Sequence, residues 1–283
     1  MTNYLLLCLA ATLFGFQVFA TSAYANTEDG GLRSVARFTA MSSFVSTVCC
    51  FAVNGFKFEF TVGSFALALC GAAVLILGQL CSIKALTGIN MSVYSTFLAI
   101  GGMILPFVVG VTLFGETLTA GRLACCVIVT VVTLLQCKPG SIGKMTVILS
   151  LAVFVLNGMN GVLATTHQHT DFPKTSGNSY NLLLYAAVCA VSVAYLLFAP
   201  KKGSSFKPKT AVPALAYGVL NGLGNLILLK TIIKVPASVQ YPIITGGIMV
   251  VSTVISAARH EKLKPFDVIG TLIAFGALFL MMI

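Results

Sequence analysis

Two lysines sit one helical turn inside the ends of long apolar stretches, and each follows a carboxamide by five residues: Gln79 before Lys84, and Asn225 before Lys230. An ammonium at that depth costs free energy unless its aliphatic stem carries it to the headgroups or an anion meets it. Both readings stand: snorkelling, or attraction of a carboxylate or phosphate to a path through the membrane, a role that suits a compact point charge. On the second reading the cargo is anionic or zwitterionic. Other polar groups lie deeper. Phe14, Gln17, Thr21 and Tyr24 recur at spacings of three and four, so on a helix they form one stripe. The matching stripe, at a shift of 143, reads Asn157, Asn160, Ala164 and His167. A carboxamide left unpartnered in hydrocarbon costs on the order of a few kcal/mol, so these side chains must face neighbouring helices or a wet cavity. They serve there as helix-to-helix contacts or as substrate contacts. His167, with an ordinary pKa of about 6.5, suits either a proton-linked group or an interfacial position. Tyr94 and Tyr241 would rim a cavity or sit at the membrane interface. The candidate substrate-binding residues are therefore Gln17, Thr21, Gln79, Lys84, Tyr94, Asn157, Asn160, His167, Asn225, Lys230 and Tyr241.

Catalysis is not expected. The seven acids (Glu28, Asp29, Glu59, Glu116, Asp171, Glu261 and Asp267) are scattered near the ends of the apolar stretches, and the three histidines offer no convergent acid/base set. The nine cysteines fall within apolar stretches with no CxxC spacing, as small apolar filler. His167 and His169, two apart, diverge on a helix, so no metal site is expected. No phosphate-binding loop and no cofactor motif is present. Glu116 and Glu261 belong to short connections, where a carboxylate complements the exposed N–H groups of the next helix.

These residues are carried by a chain that is 58% apolar and only 8% charged, with a mean hydropathy of +0.99. That composition calls for lipid as solvent. A span needs roughly 20 apolar residues, and ten stretches meet that need: 4–24, 33–54, 61–84, 91–114, 120–137, 144–166, 179–199, 210–232, 236–258 and 265–283. The first ends in Ala23-Tyr24-Ala25, which is also compatible with a cleaved leader; the absence of Lys and Arg before it and its alignment with the sixth stretch favour a retained helix. The chain is written twice. Gly78-Gln79-Leu80, Lys84 and Ser92-Val93 answer to Gly224-Asn225-Leu226, Lys230 and Ser238-Val239 at a shift of 146, and Gly101-Gly102 and Glu116 answer to Gly246-Gly247 and Glu261 at a shift of 145. Five crossings per copy force the second copy to enter from the opposite face. The expected fold is thus an all-α membrane protein, ten transmembrane helices as two inverted five-helix repeats, residues 1–140 and 141–283. Of 17 Lys and Arg residues, all but Lys57, Arg122, Lys174, Lys230 and Lys234 lie at connections after odd-numbered stretches. Those connections are expected in the cytoplasm. Loop anchors beside anionic lipid account for the charge of +10, and no nucleic-acid partner is expected.

The run from Leu7-Cys8-Leu9-Ala10-Ala11-Thr12-Leu13-Phe14-Gly15 through Gly101-Gly102 to Phe114-Gly115-Glu116-Thr117-Leu118 resembles the EamA-like branch of the drug/metabolite transporter superfamily. The second half closes similarly, with Pro236-Ala237-Ser238-Val239, Tyr241-Pro242, Gly246-Gly247 and Glu261-Lys262-Leu263. The resemblance implies a ten-helix carrier with a central cavity, working by alternating access on small metabolites. Small multidrug-resistance antiporters rely on a carboxylate in the first helix. This chain has none there, which weighs against export of organic cations. The expected partners are a small-molecule metabolite, the lipid bilayer and a coupling ion or proton. The expected function is secondary transport of a small polar metabolite, with a lipid flippase or scramblase of the same fold as the alternative. Short connections suit a bacterial plasma membrane.

Overall fold

Each of the ten apolar stretches contains one α-helix in the computed structural model of the protein, and no strand occurs among the described residues. The structure describes residues 2–27, 30–113, 119–136, 143–169, 171–199, 208–232, 237–261, 263 and 265–282. In chain order α1 is Thr2–Ala25, α2 Leu32–Val53, α3 Val62–Ala85, α4 Met91–Leu113 and α5 Ala120–Gln136. Then follow α6 Lys144–His169, α7 Gly177–Phe198, α8 Ala211–Ile232, α9 Ala237–Ala258 and α10 Pro265–Leu278. Among the described residues, six runs are long and apolar enough to cross a membrane: Asn3–Ala25, Leu32–Val53, Val62–Ala85, Lys144–Ala164, Gly177–Phe198 and Pro208–Leu228.

The distribution of polarity agrees with lipid as solvent. Large apolar side chains such as Leu5, Val62, Leu197 and Phe198 face outward, whereas Ser64, Ser92, Ser95 and Thr96 are fully buried. In water this arrangement would be inside out. Buried hydroxyls survive because a helix supplies acceptors: Thr39 donates to the Val35 carbonyl at 3.0 Å, Ser42 to Phe38 at 2.7 Å and Thr96 to Ser92 at 3.1 Å. The chain is a multi-pass membrane protein.

The main packing runs between the two halves of the chain. α1 packs on α8 and α9, α6 on α3 and α4, α2 on α7 and α8, α3 on α7, α4 on α9, and α5 on α10. Exchanging α1–α5 for α6–α10 in order converts this set of pairings into itself. Individual contacts follow the same rule to within one residue. Gly15 of α1 lies against Val251 of α9, and Gly158 of α6 against Leu105 of α4; Gly247 lies against Ala11, and Gly101 against Phe154.

The helix ends gather at two poles. At one, Arg33 Nη1 donates to the Ala199 carbonyl at 3.0 Å, Arg259 reaches Ser22 Oγ and Glu261, both at 3.1 Å, and Glu261 accepts the Met91 N–H at 3.1 Å. At the other, Asn54 Nδ2 donates to Ser179 Oγ at 3.0 Å and Glu59 Oε2 accepts the Ser176 N–H at 2.7 Å.

Two expected outcomes test this packing. A Cβ on Gly101 would strike the carbonyl oxygen, carbon and Cα of Phe154, backbone atoms that have no rotamer to give. Gly101→Ala should therefore cost about 2 kcal/mol in unfolding measurements in detergent, whereas Gly177→Ala, where nothing lies within 4 Å, should be near neutral. The Ser176 backbone N–H holds the Glu59 carboxyl below the usual carboxylate range. Because the folded-state pKa is depressed, the contact is at full strength above the unfolded value of about 4.3 and is lost as pH falls through the folded value. Hydrogen exchange at the Ser176 amide should accelerate below that value, and Glu59→Gln should remove this pH dependence.

Candidate functional site

Between the halves lies a cavity of about 380 Å³, in the range of small-molecule sites. Among the described residues, α1, α2, α3, α4, α6, α7, α8 and α9 line it, and no lining side chain carries a formal charge. The polar lining is carboxamide, hydroxyl and phenol.

Tyr217 of α8 is one centre of this lining. Gln79 Nε2 donates to its hydroxyl at 2.6 Å, and the Gln17 side chain reaches the same hydroxyl from α1. With the amide of Gln79 turned this way its carbonyl oxygen has no partner, and the Gln17 Oε1 atom is likewise buried without one. An unpaired buried acceptor costs roughly 1–3 kcal/mol. The site thus holds acceptor capacity that the protein does not consume in this conformation.

A second centre is built from Asn221 and Asn225, one turn apart on α8. Asn225 Nδ2 donates to the Asn221 carbonyl at 2.9 Å and lies 3.2 Å from Asn221 Oδ1 and 3.5 Å from the Tyr185 hydroxyl of α7. Asn221 Nδ2 donates to Ser46 Oγ at 3.1 Å, and Ser46 passes its own proton to the Gly218 carbonyl at 3.2 Å. This chain ties α2, α7 and α8 around one side of the cavity. On the opposite wall Asn157 Nδ2 donates to the Leu98 carbonyl at 2.7 Å, which fixes α6 against α4.

At the pole that carries Arg33 and Arg259 the apolar packing is continuous with the cavity wall, since Val18, Tyr94 and Val153 belong to both. There Val18, Tyr24, Phe38, Ile83, Met91 and Tyr94 form one apolar cluster drawn from α1, α2, α3 and α4, joined by Val153 of α6 and Ala214 of α8. Toward the other pole the apolar packing is divided between a cluster on α3 and α7 and another on α1 and α9.

Of the residues singled out from sequence, Gln17, Thr21, Gln79, Tyr94, Asn157, Asn160 and Asn225 come together on the cavity wall. Thr21 donates to the Gln17 carbonyl at 3.1 Å, and the Tyr94 hydroxyl donates to Ser82 Oγ at 2.7 Å. Lys84 stands apart, exposed at the end of α3 beside Gly30. His167 is also away from the cavity, buried at the far end of α6. The side chains of Lys230 and Tyr241 lie outside the described residues. Sequence reasoning missed Thr39, Ser42, Ser43 and Ser46 of α2, although their spacing of three and four marks one face, and it missed Asn221, one turn from Asn225. Tyr185 and Tyr217 left no such signal, since isolated tyrosines fit an interface equally well.

No family model matches the sequence, and no curated protein matches it. Among solved structures, one described only as "Crystal structure of protein" aligns with a TM-score of 0.62 over 99% of this chain and 96% of that chain, at 14% sequence identity. At that identity the likeness is one of fold alone.

Proposed function

We propose that the protein is a membrane carrier that moves a small polar metabolite by alternating access, as the resemblance to EamA-like members of the drug/metabolite transporter superfamily implies. The observation that carries this reading is the uncharged, carboxamide-lined cavity at the junction of the two halves of a multi-pass helical body. On this reading the chain crosses the membrane ten times, as two five-helix repeats, 1–140 and 141–283, threaded in opposite senses. The exchange symmetry of the helix pairings and the paired glycine contacts support that arrangement. The pole with Arg33 and Arg259 faces the cytoplasm of a bacterial cell, and the cluster around Tyr24 and Phe38 is the closed inner gate.

The lining narrows the cargo. An anion entering a cavity with no cation among the described residues of its wall would lose hydration without compensation. Of the anionic and zwitterionic solutes that the lysines suggest, the cavity favours the net-neutral zwitterions, and uncharged amides with them. The spare carbonyls of Gln17 and Gln79 would accept from an ammonium or amide N–H of such a solute, while Phe14, Leu75, Leu156 and Ile248 cover its apolar part.

Proteoliposomes should show saturable uptake of a zwitterionic or uncharged polar solute. Gln79→Leu and Asn225→Leu should each lower that uptake about tenfold, the equivalent of one lost hydrogen bond of about 1.4 kcal/mol. Lys84→Ala should transport within about twofold of wild type, as an exposed charge outside the site requires. Transbilayer exchange of labelled phospholipid with no solute uptake would replace this reading with the scramblase.

A further inference from the structure

His167 is 2% exposed, although it lies three residues beyond the apolar run Lys144–Ala164. Its ring stacks on Tyr180 of α7 at 4.4 Å and meets Phe172 of the α6–α7 connection edge-on at 6.3 Å. Its Nε2 is 2.9 Å from Ser64 Oγ in the first turn of α3. What else Ser64 holds decides the direction of that bond. Ser64 Oγ accepts the Thr175 N–H at 3.0 Å and the Thr61 hydroxyl at 2.9 Å, which fills both acceptor positions of a hydroxyl. Its single proton is left for His167, and Nε2 must accept it. The imidazole in this arrangement is neutral, with its own proton assigned to Nδ1.

We propose that His167 is a proton-binding site: neutral, it pins the α6–α7 connection to the start of α3 through Ser64, and on taking a proton at Nε2 it releases that connection and loosens this pole of the bundle. A protonated Nε2 would aim N–H at an oxygen with no acceptor position left. Ser64 must then give up either the Thr175 amide or Thr61, whose hydroxyl also caps α3 by accepting the Ser64 N–H. Among the described residues no acid is placed to compensate the new charge. The only charged residue of α3, Lys84, is at its far end, and α4 and α7 carry none. The titratable group of those helices that the ring touches is Tyr180, a phenol that carries no charge near neutral pH. The adjoining connections contribute Lys174, Asp171, Lys57 and Glu59; Asp171 is exposed, and Glu59 is committed to the Ser176 N–H. Burial first, and then Lys174, hold the imidazole below its ordinary range, so the neutral latch persists at neutral pH and the proton enters in acid.

The opposite pole differs. The residue related to His167 by the 143-residue shift is Tyr24, fully buried, with its hydroxyl donating to the Ser34 carbonyl at 2.7 Å. A phenol does not titrate between about pH 5 and 8. Each pole therefore holds a buried ring at the corresponding position, and acid addresses only one of them.

Hydrogen exchange followed by mass spectrometry on the purified protein in detergent, between pH 7.5 and 5.5 and corrected for intrinsic exchange, tests this. Peptides covering 60–66 and 171–180 should lose protection by about tenfold per pH unit once the ring titrates, as release coupled to one proton requires. Peptides covering 20–35 should not change. Glu59 stays ionised across this window, so its own contact does not intrude. His167→Gln keeps an oxygen that accepts the Ser64 proton and should stay protected at both pH values; Ser64→Ala should show the released level at both. Unchanged wild-type protection across the window overturns the proposal even where His167→Gln fails to fold, and so does an acid-dependent loss that persists in His167→Gln. The readout needs no substrate, so its outcome is independent of the transport assay.

Discussion

A polar group surrounded by hydrocarbon has to find its partner inside the protein, and most of this structure follows from that constraint. It makes every described regular element a helix, because a helix satisfies its own backbone. It allows Ser and Thr into the interior, because each hydroxyl can borrow the carbonyl one turn back, as Thr39, Ser42 and Thr96 do. Carboxamides are harder to satisfy, since each brings two donors and an acceptor of two lone pairs. Asn157 spends a donor on the Leu98 carbonyl across a helix contact, and Asn225 spends one on its own helix and on Asn221. Gln17 and Gln79 leave their oxygens over. Where amides outnumber what neighbouring helices can satisfy, a cavity able to admit water or a solute is the remaining solution, and that is where these residues meet.

The same constraint explains what could be read from the sequence. Helix positions were legible because a span needs an uninterrupted apolar run of a set length, and each expected stretch holds one helix. Gln17, Gln79, Asn160 and Asn225 were legible as candidates because a carboxamide within such a run has few inexpensive positions. Lys84 lies exposed, as the snorkelling reading has it. Its depth along α3 was readable, but its direction around the helix was not, and a long flexible stem leaves the outward solution open to it. The serine face of α2 was legible in spacing yet easily discounted, since each hydroxyl has a local carbonyl and needs no cavity to explain it. Tyr185 and Tyr217 depend on which helices come together at the centre. That is information about α7 and α8 packing against α2 and α1, not about either tyrosine's neighbours in sequence.

Comparison of the two halves separates the positions where helices meet closely from the positions that line the cavity. Gly15 with Val251 and Gly158 with Leu105 correspond to within one residue under the exchange of halves, and both need a residue without a side chain, because the partner helix occupies the space of a Cβ. Backbone approach leaves no latitude, so the small residues remain paired. The cavity wall tolerates change as long as hydrogen bonds close or a solute closes them. Accordingly Gln79 answers to Asn225, Gln17 to Asn160 and Thr21 to Ala164, each pair differing in reach or polarity. A cavity wall assembled from unequal halves is asymmetric. The same drift has placed a phenol at one pole and an imidazole at the other, in comparable burial. On the carrier reading proposed above, the two poles need not open under the same condition, and an equilibrium between their closed states would acquire a dependence on pH that a symmetric pair could not have.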